Sequence, residues 1–230
     1  MNYSTEYWGK NPTFHREDAP RKYSEIISLV NYTPKSIIDI GCGAGFLTNM
    51  IYESLKPLKM VGVDISEEAI NVATKFSNKN IKFVVGDFGR FEVKEKYDLG
   101  IVADLIEHIE DDKDFLVKAM SLCDKLIIRI PLERNCYNDL LKYIGLSDEY
   151  SSLEKRYGHI HHYNLKDLTK LFESQKIKVE QIKIYPLGKR TKLINNFAAF
   201  FSRIVGIFSM SVSANLFGGF SVFRLSKINE

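Results

Sequence analysis

The chain has 230 residues, 45% of them hydrophobic and 27% charged, with a formal net charge of +3. That length and balance fit one large domain or two small ones and exclude disorder, low complexity and collagen-like repeats. Three cysteines (Cys42, Cys123 and Cys136), an odd number, exclude a disulfide framework and point to a reducing, cytoplasmic compartment.

The N-terminal stretch MNYSTEYWGKNPTFHRED has no apolar h-region, so no secretory signal is expected. Asp18 to Val30 reads as a leading helix, with Ile26, Ile27, Leu29 and Val30 on a partial apolar face. Short apolar runs then read as buried strands at 36–40, 60–64, 81–85, 98–103 and 126–130, with helical periodicity at 46–56, 66–77 and 111–122. Strands apolar on both faces and alternating with helices imply a parallel sheet covered on both sides. Asn164 caps a further helix to Gln175, and strands near 178–185 and 219–225 close the chain. The expected fold is a single α/β, doubly wound, Rossmann-like domain with ligand chemistry at the carboxyl ends of its strands.

The strongest signal is Asp39-Ile40-Gly41-Cys42-Gly43-Ala44-Gly45, where a strand runs through three glycines directly into a helix. Glycine suits a sharp turn that a ligand approaches closely, and the helix N-terminus suits a carboxylate or phosphate. Asp64 ends the second strand, where a carboxylate can accept both hydroxyls of a ribose. Asp87 ends the third, and with Phe88 it can meet an adenine amino group and ring face.

With Ala103-Asp104-Leu105-Ile106-Glu107-His108-Ile109-Glu110 added, this series resembles the motifs of class I S-adenosylmethionine-dependent methyltransferases over about residues 36–131. Within that class it resembles the quinone-pathway O-methyltransferases. The resemblance implies a seven-stranded sheet of order 3-2-1-4-5-7-6 with its last strand antiparallel. S-adenosylmethionine is the implied cofactor, with Gly41 and Gly43 facing its methionine part. Asp64 would lie at the ribose, Asp87 and Phe88 at the adenine, and Ala103 beside the sulfonium, with Ile65 a further cofactor contact. Asp39 either touches the cofactor or braces the glycine loop.

Three readings of Asp104-Leu105-Ile106-Glu107-His108 stay open. The histidine holds the loop, or it is a general base at the reacting methyl. Alternatively, the pattern resembles the Glu-x-x-Glu-His series of quinone-pathway and small-RNA methyltransferases, and Asp104, Glu107 and His108 bind a divalent ion. A second group, Gly158-His159-Ile160-His161-His162-Tyr163, precedes the helix at 165, and His161 is the expected cleft-facing member. The catalytic candidates are therefore His108 and His161, with the metal left open.

Residues 131–163 and 189–217 are expected to cover the acceptor, with Tyr7, Trp8, Tyr137 and Tyr143 as candidate aromatic walls. From Leu193 to Phe223 the one charge is Arg203, and Lys189, Arg190 and Lys192 precede this stretch. It suits an amphipathic helix at an anionic membrane surface, a lid or a dimer contact better than a spanning helix. The expected enzyme methylates a hydroxyl of a hydrophobic or carbohydrate-like small molecule or lipid. An RNA 2′-O-methyltransferase and a non-catalytic cofactor-binding subunit are the alternatives. The basic region is strongly aliphatic, which places nucleic acid behind a small molecule.

Overall fold

The computed structural model describes residues 16–90, 95–186 and 193–228. Seven strands form one sheet: β1 Ser36–Ile40, β2 Lys59–Asp64, β3 Ile81–Val85, β4 Tyr97–Ala103, β5 Cys123–Leu132, β6 Ile177–Tyr185 and β7 Gly219–Lys227. Their order is β3-β2-β1-β4-β5-β7-β6. The first five strands pair in parallel, and β7 lies antiparallel between β5 and β6. The chain reverses direction outward from β1, first to β2 and β3 and later to β4 and β5. That reversal leaves a crevice at the carboxyl ends of the central strands.

Period-two alternation along the central strands fills both faces of the sheet. Ile37, Leu99, Ile101, Ile127 and Val222 pack on one face, with Ile26 of α1 (Ala19–Ile27) and with Ile51 and Tyr52 of α2 (Phe46–Leu55). Their neighbours Ile38, Val102, Leu126, Ile128 and Phe223 pack on the other. There they meet Phe115, Leu116 and Met120 of α4 (Asp112–Leu122) and Leu168, Leu171 and Phe172 of α7 (Leu165–Ser174). Each such side chain contributes about 1.5–3 kcal/mol on burial, so the sheet centre is a rigid platform for its loops. Between β2 and β3 lies α3 (Glu67–Ala73), whose Ser66 cap accepts the Ala69 N–H at 3.2 Å.

Two regions outside the sheet are helical. Residues 133–157 hold α5 (Cys136–Tyr143) and α6 (Glu149–Tyr157), capped by Asn135 and Asp148. The later insertion is a helix pair, α8 (Leu193–Phe208) and α9 (Met210–Phe217). The two helices join through buried Ala198, Ala199 and Ala214 and a 2.9 Å bond between the Ser202 and Ser213 hydroxyls. Their outer face leaves Phe200, Ile204, Ile207, Phe208 and Val212 exposed. Among the described residues no helix is long and apolar enough to cross a membrane. Lys189, Arg190 and Lys192, the expected basic flank, lie outside the described residues, as do Tyr7 and Trp8.

Candidate active site

A cleft of about 1670 Å³ opens at the carboxyl ends of β1, β2, β4 and β5. Asp39, Gly41, Gly43, Asp64, Ile65, Asp87, Phe88 and Ala103 all line it.

The glycine loop is shaped by its backbone. Gly41, Gly43 and Gly45 have φ of 76°, 52° and 76°, a region that side chains other than glycine's rarely enter. A Cβ on Gly45 would also come within 2.8 Å of the Ala73 Cβ and 2.9 Å of the Phe83 ring. The loop is pinned to β2: Gly41 and Cys42 N–H donate to the Val63 carbonyl at 2.8 and 3.1 Å. Gly43 N–H donates to Asp64 Oδ2 at 2.8 Å, and Ser66 N–H to Asp64 Oδ1 at 2.9 Å. The N–H groups of Gly41, Cys42 and Gly43 are therefore engaged within the protein. Asp64 braces the loop at Gly43, and burial still pushes its carboxyl above the usual range. A carboxylate has about four acceptor sites, more than these main-chain bonds fill.

Asp39 braces differently. Its Oδ2 accepts the Thr48 hydroxyl of α2 at 2.6 Å, tying the end of β1 to the helix that follows the loop. It is fully buried, and this desolvation pushes its carboxyl up to about 6. Asp87 is held in place by the Gly89 N–H on Oδ1 at 2.8 Å. Phe88 packs edge-on against Phe115 with ring centroids 5.2 Å apart, and Lys118 lies 5.5 Å from its ring. Ile65, 55% exposed, offers an apolar surface beside Asp64. The bare loop, a carboxylate at β2 and an acid–aromatic pair after β3 suit the methionine, ribose and adenine parts of S-adenosylmethionine in turn.

The opposite side of the cleft is built from side chains. Asp104 follows β4 with φ 54°, and the metal-capable group that Glu107 and His108 form includes His159 rather than Asp104. Arg129 Nη1 donates to its Oδ1, and Lys22 Nζ sits 3.0 Å from Oδ2. Arg129 also binds Glu25 at 2.5 Å and stacks 3.9 Å over Phe220, giving a buried ion network from α1 to β5. Arg129 in the middle of an apolar strand was its signal in the sequence.

A short 3₁₀ turn, Ile106–His108, comes next. The Glu107 carbonyl accepts the N–H groups of Ile160 and His161 at 2.9 and 3.1 Å, bringing the histidine segment against it. His161 does not line the cleft, and its Nε2–H donates to the Ile109 carbonyl at 2.9 Å. Among the described residues, the histidines that line the cleft are His108 and His159. His108 Nδ1–H donates to the Gly158 carbonyl at 3.2 Å, and burial pushes this imidazole down to about 4.

Glu133, which the reading of the sequence missed, is buried between two imidazoles. Its Oε1 accepts from His159 Nδ1 and its Oε2 from His162 Nδ1, both at 2.7 Å. These bonds hold its carboxyl below the usual range against its burial. An acid just past the carboxyl end of β5 was the available signal. The expected aromatic walls also change. Tyr143 is exposed and Tyr137 packs near Phe217, while Tyr157, Phe220 and Phe46 line the cleft. α6 contributes Glu149, Ser152, Leu153 and Arg156, whereas no described residue of 193–217 reaches it.

Residues 33–176 match a family model described as Methyltransferase domain. The chain is 36% identical over 117 residues to ribosomal RNA small subunit methyltransferase A of Mesomycoplasma hyopneumoniae strain 232, covering 49% of this chain and 44% of that protein. It is 30% identical over 78 residues to a malonyl-[acyl-carrier protein] O-methyltransferase of Acetivibrio thermocellus, covering 34% and 28%. The chain thus spans less than half the length of these curated relatives. Its fold is similar to that of magnesium protoporphyrin IX methyltransferase from Synechocystis PCC 6803, solved with bound SAH. The TM-score is 0.61 at 16% identity, over 93% of this chain and 84% of that one.

Proposed function

The chain belongs to the methyltransferase-domain family, and on that footing we propose that it methylates an oxygen of a hydrophobic or carbohydrate-like small molecule or lipid, using S-adenosylmethionine. The observation that carries this reading is the meeting, in one cleft, of the pinned glycine loop, Asp64 and Asp87–Phe88 with a separate polar wall at Glu107, His108 and His159. When bound, S-adenosylmethionine supplies a methyl on a sulfonium, already an excellent leaving group, so aligning the acceptor is the protein's main task.

Asp64 takes the ribose hydroxyls while holding Gly43, so cofactor placement and loop shape depend on the same carboxylate. Gly41 lets the methionine part lie against bare backbone, with Asp39 behind it. Phe88 and Ile65 border the adenine, and Asp87 accepts its amino group. Ala103, small and at the end of β4, leaves room beside the sulfonium. The acceptor enters between α6 and the Glu107–His108–His159 group, whose polar atoms lie where a hydroxyl would lose its proton.

The exposed apolar face of α8 and α9 favours an acceptor found at or carried by a lipid surface, with the basic segment 189–192 near anionic headgroups. Purified protein incubated with methyl-labelled cofactor and cell extract should place label in the lipid or small-molecule fraction. It should also sediment with anionic vesicles more than with neutral ones. Label confined to RNA would replace this reading with that of the ribosomal RNA relative. Failure to bind the cofactor at all would end it.

A further inference from the structure

We propose that the acceptor carries a primary or secondary ammonium group and that Glu107 is the seat of that group. Glu107 lines the cleft, yet its side chain is completely buried. Apart from its own main-chain N–H, neither carboxylate oxygen has a hydrogen-bond partner. A buried carboxylate left in that state is strongly unfavourable, and folded proteins rarely leave one so. Two cations of the same wall are committed to its neighbour: Lys22 and Arg129 both bind Asp104. The partner that Glu107 lacks therefore comes from the cleft.

The charge of the cleft gives the sign of that partner. Among the described residues that line it, twelve are Asp or Glu and four are Lys or Arg, although the whole chain carries +3. Asp39, Asp64 and Asp87 stand on the cofactor side. Of the others, Glu110, Asp111 and Asp114 are exposed around the start of α4, and Glu107 and Glu133 are buried. A cleft of one sign, walled by low-dielectric protein, concentrates counter-ions and repels like charge. An acceptor bearing phosphates or a carboxylate, nucleic acid included, meets this field as a barrier. An ammonium is drawn in.

The seat asks for more than positive charge. Glu107 lacks hydrogen-bond donors, which a primary or secondary ammonium brings and a quaternary ammonium does not. A charge-assisted bond of this kind is roughly twice as strong as one between neutral groups. Leu105, Leu153, Tyr157 and Phe220 line the same cleft and suit the carbon body of such an acceptor. Placing the bound amine beside the reacting methyl rests on the methyl-transfer reading; the preference for an ammonium does not.

The test uses four probes that share one apolar chain and differ in head group: hexylammonium, hexyltrimethylammonium, hexanol and hexanoate. Each is titrated by calorimetry at neutral pH into the full chain saturated with S-adenosylhomocysteine. A chelator is present, so that no metal ion competes for the carboxylate. Hexylammonium should bind at one site about 30-fold more tightly than hexanol, the effect of one buried charge pair. Hexyltrimethylammonium should bind no better than hexanol, and hexanoate should bind most weakly. Glu107→Gln should remove the advantage of hexylammonium and leave hexanol binding unchanged. The variant should unfold no lower than the wild type, because the substitution removes an unpaired buried charge. Equal binding of hexylammonium and hexanol by the wild type, binding of none of the four, or an ammonium preference retained in Glu107→Gln overturns the proposal. Cofactor affinity, measured on the same samples, separates the two readings. Cofactor binding without an ammonium preference removes the amine alone, and loss of cofactor binding removes the methyl-transfer reading.

Discussion

The two walls of the cleft are made by different means. On the β1–β2 side, positive φ angles, main-chain bonds to Val63 and one carboxylate on Gly43 fix the shape. On the β4–β5 side, buried charges fix it: Arg129 between Glu25 and Asp104, and Glu133 between His159 and His162. Backbone geometry is cheap to hold once the glycines are present. Buried charges hold a wall only while every partner is in place, because each was stripped of water on folding. The first wall should therefore fail in binding, and the second in stability.

The largest effect should come from Arg129→Met. It leaves Asp104 with Lys22 at 3.0 Å and Glu25 with the more distant Arg21 at 3.9 Å. Removing one partner of a buried pair typically costs about 3–5 kcal/mol, which urea unfolding would resolve. A loss below about 1 kcal/mol, the range of exposed pairs, would mean that the network is solvated and the contrast between the walls is false.

Asp64→Ala should do the opposite, sparing most of the stability and losing cofactor affinity. Losing hydrogen bonds to a charged acceptor corresponds to about 1.5–3 kcal/mol, roughly 10- to 150-fold in Kd. Calorimetry with S-adenosylmethionine reads this directly. An unchanged Kd would confine Asp64 to bracing Gly43 and Ser66.

The same contrast explains what the sequence made legible. The first wall is local: Gly41, Gly43 and Gly45 lie within five residues, and Asp64 and Asp87 each sit at the end of an apolar run. All seven strands could be found the same way, since alternation and apolar runs record burial along the chain. The second wall joins residues far apart in sequence. Glu25 meets Arg129 across 104 positions, and Glu133 meets His159 across 26. A pattern along the chain names the residue types but not which of them meet, so His161 was favoured over His159 and Asp104 was grouped with Glu107. His159 and His161 share one parity, so alternation in 158–163 cannot separate them; His159 lines the cleft, and His161 bonds the Ile109 carbonyl instead.

The smallest effect sharpens the comparison by testing a buried charge on the first wall. Asp39 is fully buried, and desolvation, reinforced by nearby Asp64, pushes its carboxyl up to about 6 despite the Thr48 hydrogen bond. An unfolded aspartate titrates near about 3.9. Between about pH 4 and pH 6 the folded chain thus binds more protons at this site than the unfolded chain, and its stability falls as pH rises through that window. Above it the penalty is fully present. Asp39→Asn keeps an oxygen for the Thr48 hydroxyl and removes the charge. Between pH 4 and pH 8 the variant should gain on the wild type by about 1–3 kcal/mol, the range that a shift of about two pKa units allows. Urea unfolding at both pH values measures it. Cofactor affinity of the same variant gives the sharper result. If Asp39→Asn gains stability and loses affinity, the charge at this position serves the ligand at the expense of the fold. If the substitution costs stability equally at both pH values, Asp39 is a brace that the fold needs, and the two walls are built more alike than their geometry indicates.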